Sequence, residues 1–152
     1  MAGTGLALTR VFTIGFTGKT AAQFFGALRR AGIERVVDVR LNNVSQLAGF
    51  TKRQDLPFFL KELCSAEYVH EPILAPTKEI LDDYRKDRSW GGYTERFLGL
   101  LRERQVEHRV PRELIAAPTA LLCSEPTPDR CHRRLVAEYL AGRWGDIQPT
   151  HL

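Results

Sequence analysis

The residues of this 152-residue chain best equipped for chemistry stand toward its C-terminal end, where Cys123, Ser124 and Glu125 close an apolar run and Cys131, His132 and Arg133 follow shortly after. A thiol beside a helix N-terminus and basic groups can ionise to a nucleophilic thiolate, and the neighbouring imidazole can carry a proton. Glu125, if burial raises its pKa, becomes a general base. Asp38 and Arg40 lie two residues apart, hence on one face of a strand, where they can clamp an anion or pair with Glu125 and Arg133. Gly15 and Lys19 stand at another strand end. The expected catalytic set is therefore Glu125, Cys131 and His132, with Gly15, Lys19, Asp38, Arg40 and Arg133 as substrate contacts. The competing account makes Cys131 a small core residue, His132 a buried histidine bonded to a carbonyl, and the Asp38/Arg40 pair a brace for strand ends.

Alternating strand and helix signals must position these groups. Arg10 to Gly15 (RVFTIG) reads as a strand, and Thr20 with Gln23 forms a capping box that opens a helix whose apolar face is Phe24, Phe25 and Leu28, stopping near Gly32. The β-branched run Arg35 to Arg40 is the next strand. Asn42 to Gln54 is a polar loop, long enough to be a wall or lid. Asp55 is expected to cap a helix through Leu56, Phe59, Leu60, Leu63 and Cys64, and Glu67 to His70 to form a short strand. Thr77 caps a helix through Ile80, Leu81 and Tyr84, another runs from Tyr93 to Leu101, and His108 to Pro118 is loop or a short helical turn.

Thr119 to Ser124 is short and apolar, as a strand buried on both faces should be. Thr127, with Pro128 and Asp129 behind it, predicts a helix start running to about Arg143. In that helix His132 would point along the apolar direction set by Leu135, Val136, Tyr139 and Leu140, with Cys131 and Arg133 roughly a right angle to either side. Ile147 to Leu152 is a last strand. The order predicts a single three-layer α/β domain over residues 10–152, with a parallel or mixed sheet of about five strands flanked by helices, after a flexible tail at residues 1–9. In such sheets ligands bind beyond the carboxyl ends of the strands, which is where the chemical residues fall.

Composition narrows the class. With 43% hydrophobic residues the chain is neither disordered nor collagen-like, and no apolar run is long enough for a membrane span. The N-terminus has no signal-peptide pattern. Three cysteines, odd in number and widely spaced, argue for reduced thiols and a cytoplasmic setting. The net charge is +4, and 17 of the 22 basic residues are arginine, the side chain that grips phosphate in pairs. A phosphate-bearing small molecule or nucleic acid is the expected partner.

Other motifs carry less. Thr13 to Thr20 (TIGFTGKT) ends like a phosphate-binding loop, but its first glycine is Thr13, Thr20 is taken by its capping box, and Lys19 precedes the helix. Cys123 resembles the cysteine of phosphatase and sulfurtransferase loops, yet the arginine slot that follows five intervening residues is Asp129, and Pro126 and Pro128 remove amides from the cradle. For a metal there is no Cys-x-x-Cys or His-x-x-x-His, and adjacent Cys131 and His132 would diverge on a helix, so neither metal nor cofactor is expected.

Leu121 to Leu140 (LLCSEPTPDRCHRRLVAEYL) resembles the hallmark of the domain of unknown function 488 family, a Cys, a following Glu and then Cys-His-Arg. Thr-Ile-Gly at 13–15, Asp-Val-Arg at 38–40, Ser45 to Lys52 and the terminal His151 agree with it, in the same order and over nearly the whole chain. The resemblance implies the α/β fold and the site, and brings no reaction with it. Phe16 stands where many members have histidine, Asn43 and Gln46 where Pro and Arg are usual, and Ala75-Pro76 where Gly-Gly is frequent. An enzyme-like domain with a polar crevice for an anionic ligand is the leading expectation; the alternatives are a non-catalytic anion or nucleic-acid binding module, and an interaction protein whose motif residues are structural.

Overall fold

Thr9–Gly15, the first strand (β1), divides its side chains between two faces with period two: Val11 enters one apolar cluster, Phe12 and Ile14 the other. Arg35–Asp38 (β2) and Thr119–Cys123 (β4) do the same, Val37 and Leu121 joining Val11 while Val36 and Leu122 join Phe12. A strand apolar on both faces belongs in the middle of a sheet covered by helices on both sides. The computed structural model describes residues 8–42, 49–52, 54–124 and 130–152. With Glu67–His70 (β3) and Ile147–His151 (β5) the strands form one sheet of order β3-β2-β4-β1-β5, every pairing parallel. Sequence reading left a mixed sheet open; each strand is followed by at least one helix before the next, and such crossovers return the chain in the same direction. Pro149, which has no N–H to give a ladder, sits in the edge strand β5.

Ala21–Arg30 (α1) and Leu56–Cys64 (α2) cover one face. The predicted capping box is present: the Gln23 amide donates to Thr20 Oγ1 at 3.1 Å and the Thr20 amide donates to Gln23 Oε1 at 2.9 Å. Phe24, Phe25 and Leu28 are buried, each worth about 1.5–3 kcal/mol relative to exposure. Gly32 follows at φ +68°, the left-handed geometry that ends a helix. Asp55 holds the N-cap position of α2 but makes no capping bond, its backbone being already helical at φ −107°, ψ −34°.

Lys78–Asp87 (α3), Trp90–Arg104 (α4), Val106–Arg109 (α5) and His132–Trp144 (α6) cover the opposite face, completing three layers. Thr77 caps α3 as expected. Ser89 caps α4, which begins at Trp90, ahead of the expected Tyr93. The start of α6 also differs from expectation. Residues 125–129, and with them Thr127 and Glu125, lie outside the described residues, but Arg130 and Cys131 are not helical, and Cys131 is extended at φ −135°, ψ 139°. The tail expected at residues 1–9 falls largely outside the described residues too, and β1 starts at Thr9. Among the described residues no helix is long and apolar enough to cross a membrane.

Candidate functional site

Register brings the chemical residues to one end of the sheet. Gly15 lies opposite Cys123 and Asp38 opposite Leu122, and the Val39 amide donates to the Leu122 carbonyl at 3.0 Å, so the chain leaves β1, β2 and β4 side by side at their carboxyl ends. Arg40, just past β2, is held rigidly. Its Nε and Nη2 donate to the two oxygens of Asp38, each at 2.8 Å, and Nη2 also donates to the Thr51 carbonyl at 2.6 Å. Asp38 accepts two further bonds, from the Arg40 amide at 3.1 Å and the Tyr68 hydroxyl at 2.6 Å. The guanidinium lies over the Phe16 ring at 5.3 Å. Asp38 is fully buried and Arg40 is 4% exposed, yet Arg40 Nη1 has no hydrogen-bond partner among the described residues.

His132 opens α6 and its Nε2 lies 2.7 Å from the Val39 carbonyl. A carbonyl only accepts, so Nε2 carries the ring proton and Nδ1 keeps a lone pair. Burial pushes the imidazole down to a pKa of about 4, with Arg133 adding to the fall and the Val39 carbonyl and Asp38 opposing it. The ring is therefore neutral at pH 7, and Phe97 meets it edge-on at 5.7 Å. The carbonyl-bonded histidine of the competing account is what is found, and it still faces the crevice.

The cysteines depart from expectation. Cys123 and Cys131 have their sulfurs at bonding distance, as in a disulfide, and Cys64 is the free thiol. Sequence spacing concealed this because β4 and α6 meet at the same sheet end, and the extended backbone of Cys131 turns its side chain back toward Cys123 instead of along the helix. For the same reason Cys131 and His132 do not diverge: Cys123, Cys131 and His132 each place a ligand atom within 4.8 Å of the others. Arg133 is fully buried behind them, donating to Thr13 Oγ1 at 3.3 Å and to Cys123 Sγ at 3.2 Å. Thr13 in turn bonds His151 Nδ1 at 2.6 Å, so the terminal histidine braces Arg133 across the sheet.

These groups line a cavity of about 380 Å³. Arg40, Asn42, Ser124, Arg130, Cys131 and His132 line it from the wall at the sheet end, and Tyr84, Arg85, Trp90 and Tyr93 line it from α3 and α4. Trp90 and Tyr93 are stacked, 5.0 Å apart at 13°. The described lining holds three arginines and no carboxylate, a sign of charge that attracts anions. Asp38 and Arg133 sit behind this wall, not in it. Lys19 turns back to donate to the Gly15 carbonyl at 2.8 Å, and its pKa is lowered by burial and then by Arg133. Neither Gly15 nor Lys19 lines the cavity.

Sequence reasoning did not reach Tyr68, Thr51, Arg85, Arg130 or the aromatic wall. Thr13 carried a signal, a polar residue within an otherwise apolar central strand. The aromatic wall had none, since Tyr84 and Trp90 meet only when α3 packs on α4.

A three-layer α/β domain with an Asp-x-Arg brace and a Cys-His-Arg helix start at one sheet end defines the class of protein. More particularly, residues 20–140 match the family model of DUF488, a domain of unknown function, and the chain belongs to that family. No curated protein and no solved structure matches the chain.

Proposed function

We propose that this protein binds a phosphate-bearing ligand, a nucleotide or a nucleic-acid phosphate, in the cavity at the carboxyl ends of β1, β2 and β4. One observation supports this above the rest: a buried arginine, Arg40, oriented through Asp38, Tyr68 and Thr51, whose Nη1 has no partner among the described residues, beside a cavity whose described charged groups are all basic. Arg130 and Arg85 supply further donors, and the partly exposed Trp90 ring, stacked on Tyr93, suits a base ring. Asp38 positions Arg40, and Arg133, outside the cavity lining, positions Cys123. Glu125, Cys131 and His132 are the groups that would act on the bound ligand, and a cytoplasmic setting would keep the thiols reduced. Binding without catalysis is the second reading, favoured by the tether of His132 to the Val39 carbonyl and the engagement of Cys131 with Cys123.

The test is thermal unfolding with inorganic phosphate, a nucleoside monophosphate and a short single-stranded oligonucleotide. Ligand at a hundredfold excess over Kd stabilises by about 2.7 kcal/mol, enough to raise Tm measurably. Arg130→Ala, an exposed change, should cut that shift, and Arg40→Met should abolish it. No shift with any of the three ligands, or a shift that survives both substitutions, would refute the assignment.

A further inference from the structure

We propose that, once its cysteine pair is reduced, this chain holds one soft divalent metal ion of the zinc class on Cys123, Cys131 and His132, with a fourth coordination position opening on the cavity. The three ligand atoms already lie within 4.8 Å of one another. A tetrahedral zinc with sulfur at about 2.3 Å and nitrogen at about 2.0 Å needs its ligand atoms roughly 3.3–3.8 Å apart, so side-chain rotations suffice to admit it. Two thiolates and an imidazole select zinc, cobalt or copper(I) over magnesium or calcium.

Surrounding contacts match what such a centre needs. The Val39 carbonyl takes the Nε2 proton of His132, which fixes the ring and leaves Nδ1 as the donor nitrogen. Arg133 donates to Cys123 Sγ, a bond that favours the thiolate, and is itself held by Thr13. The α-carbons of Cys123 and Cys131 stand 7.6 Å apart, beyond the 4.4–6.8 Å that a crosslink usually spans, whereas an ion between the sulfurs accommodates a wider separation. Both cysteines are at most 2% exposed, yet both line the cavity, so the centre is enclosed on the protein side and approachable from the crevice. Reduction of the pair by a thiol or phosphine takes up two electrons and two protons and gives two thiols; metal binding then releases those two protons. None of Arg40, Arg85 and Arg130 is a ligand, so phosphate binding is tested separately from this centre, although Cys131 and His132 are shared with the catalytic reading above.

The experiment uses the full chain, reduced with a phosphine and freed of metal by chelation, then titrated with Co²⁺ and displaced with Zn²⁺. One Co²⁺ per chain, with thiolate-to-cobalt charge-transfer absorption and the visible bands of tetrahedral cobalt, is expected. Cys131→Ala should lose the charge-transfer intensity by at least half, while Cys64→Ala should leave it unchanged. Because Cys131→Ala can disturb the helix start, Zn²⁺ protection of the wild-type chain is read in parallel: Cys123 and Cys131 should resist alkylation while Cys64 does not. A reduced wild-type chain with no charge-transfer band, a band indifferent to Cys131→Ala, equal labelling of all three cysteines under zinc, or a pair that resists reduction would each overturn the proposal.

Discussion

Replacing Asp38 by Asn should be among the most destabilising isosteric changes in the chain. The carboxylate is fully buried and accepts four bonds, from Arg40 Nε, Nη2 and main-chain N and from the Tyr68 hydroxyl. The amide removes the charge opposite Arg40 and puts an NH₂ against groups that are themselves donors. Leaving one member of a buried ion pair uncompensated costs about 3–5 kcal/mol. With a urea m-value near 2 kcal/mol/M, a loss of about 4 kcal/mol lowers the midpoint by about 2 M. Arg40→Met should cost a similar amount, since Asp38 then keeps its charge with only the main-chain amide and Tyr68. The double variant Asp38→Asn with Arg40→Met should lose far less than the sum, because the uncompensated charge is gone. Urea titration followed by tryptophan fluorescence measures all three. A loss below about 1 kcal/mol for Asp38→Asn, or strict additivity in the double variant, would show that the pair does not act as a unit.

Three further outcomes are expected. His132 has a folded pKa near 4 against 6.5 unfolded, so the unfolded chain takes up its proton first as pH falls; stability is full above about pH 6.5 and declines toward pH 4, by at most about 3 kcal/mol, and with chelator present His132→Gln should remove that slope while keeping a donor for the Val39 carbonyl. Thr13→Val keeps the shape of a buried strand residue but removes the oxygen that Arg133 and His151 share, and should cost about 1–3 kcal/mol in urea unfolding, against under 0.5 kcal/mol for the exposed Lys78→Ala. Burial pushes the Cys64 thiol up, so its alkylation rate in native protein at pH 7.5 should fall below that of a free cysteine and rise steeply above pH 9; a rate equal to the free amino acid would contradict the burial.

Much of this molecule was legible because its strands are read by burial and its helix starts by local chemistry. The runs at 9–15 and 119–123 are apolar on both faces, and only a covered parallel sheet uses such strands. Thr20 and Thr77 cap helices with their own hydroxyls, an interaction complete within four residues. Where the reading failed, a distant contact outweighed the local signal. Thr127-Pro128-Asp129 has the chemistry of a helix start, yet α6 begins at His132 because Cys131 is extended and reaches Cys123 on β4. The expected divergence of Cys131 and His132 failed with it, since it assumed both residues inside one helix. Asp38 and Arg40 were found by spacing alone, but that Arg40 would be fixed by Tyr68 through Asp38, and by Thr51 directly, depended on β3 lying beside β2 and on a loop folding over it.

The two proposals share a physical origin in the end of the sheet where β1, β2 and β4 stop. α6 starts at that end, where its dipole is positive, and Arg40, Arg130 and Arg133 add three full positive charges around it. Thiolates and phosphates are both stabilised by such a field, and which one it serves is decided by access. Arg133 is fully buried against Cys123 and Thr13 and does not line the cavity; Arg40 and Arg130 border the cavity, where a solute can reach them. Exchanging the two roles by substitution should therefore fail in a specific way. Arg133→Met should weaken Co²⁺ binding by about 10–100-fold while leaving the phosphate-dependent Tm shift, and Arg130→Ala should do the reverse. Loss of both properties in either variant would mean that the inner and outer arginines serve a single site.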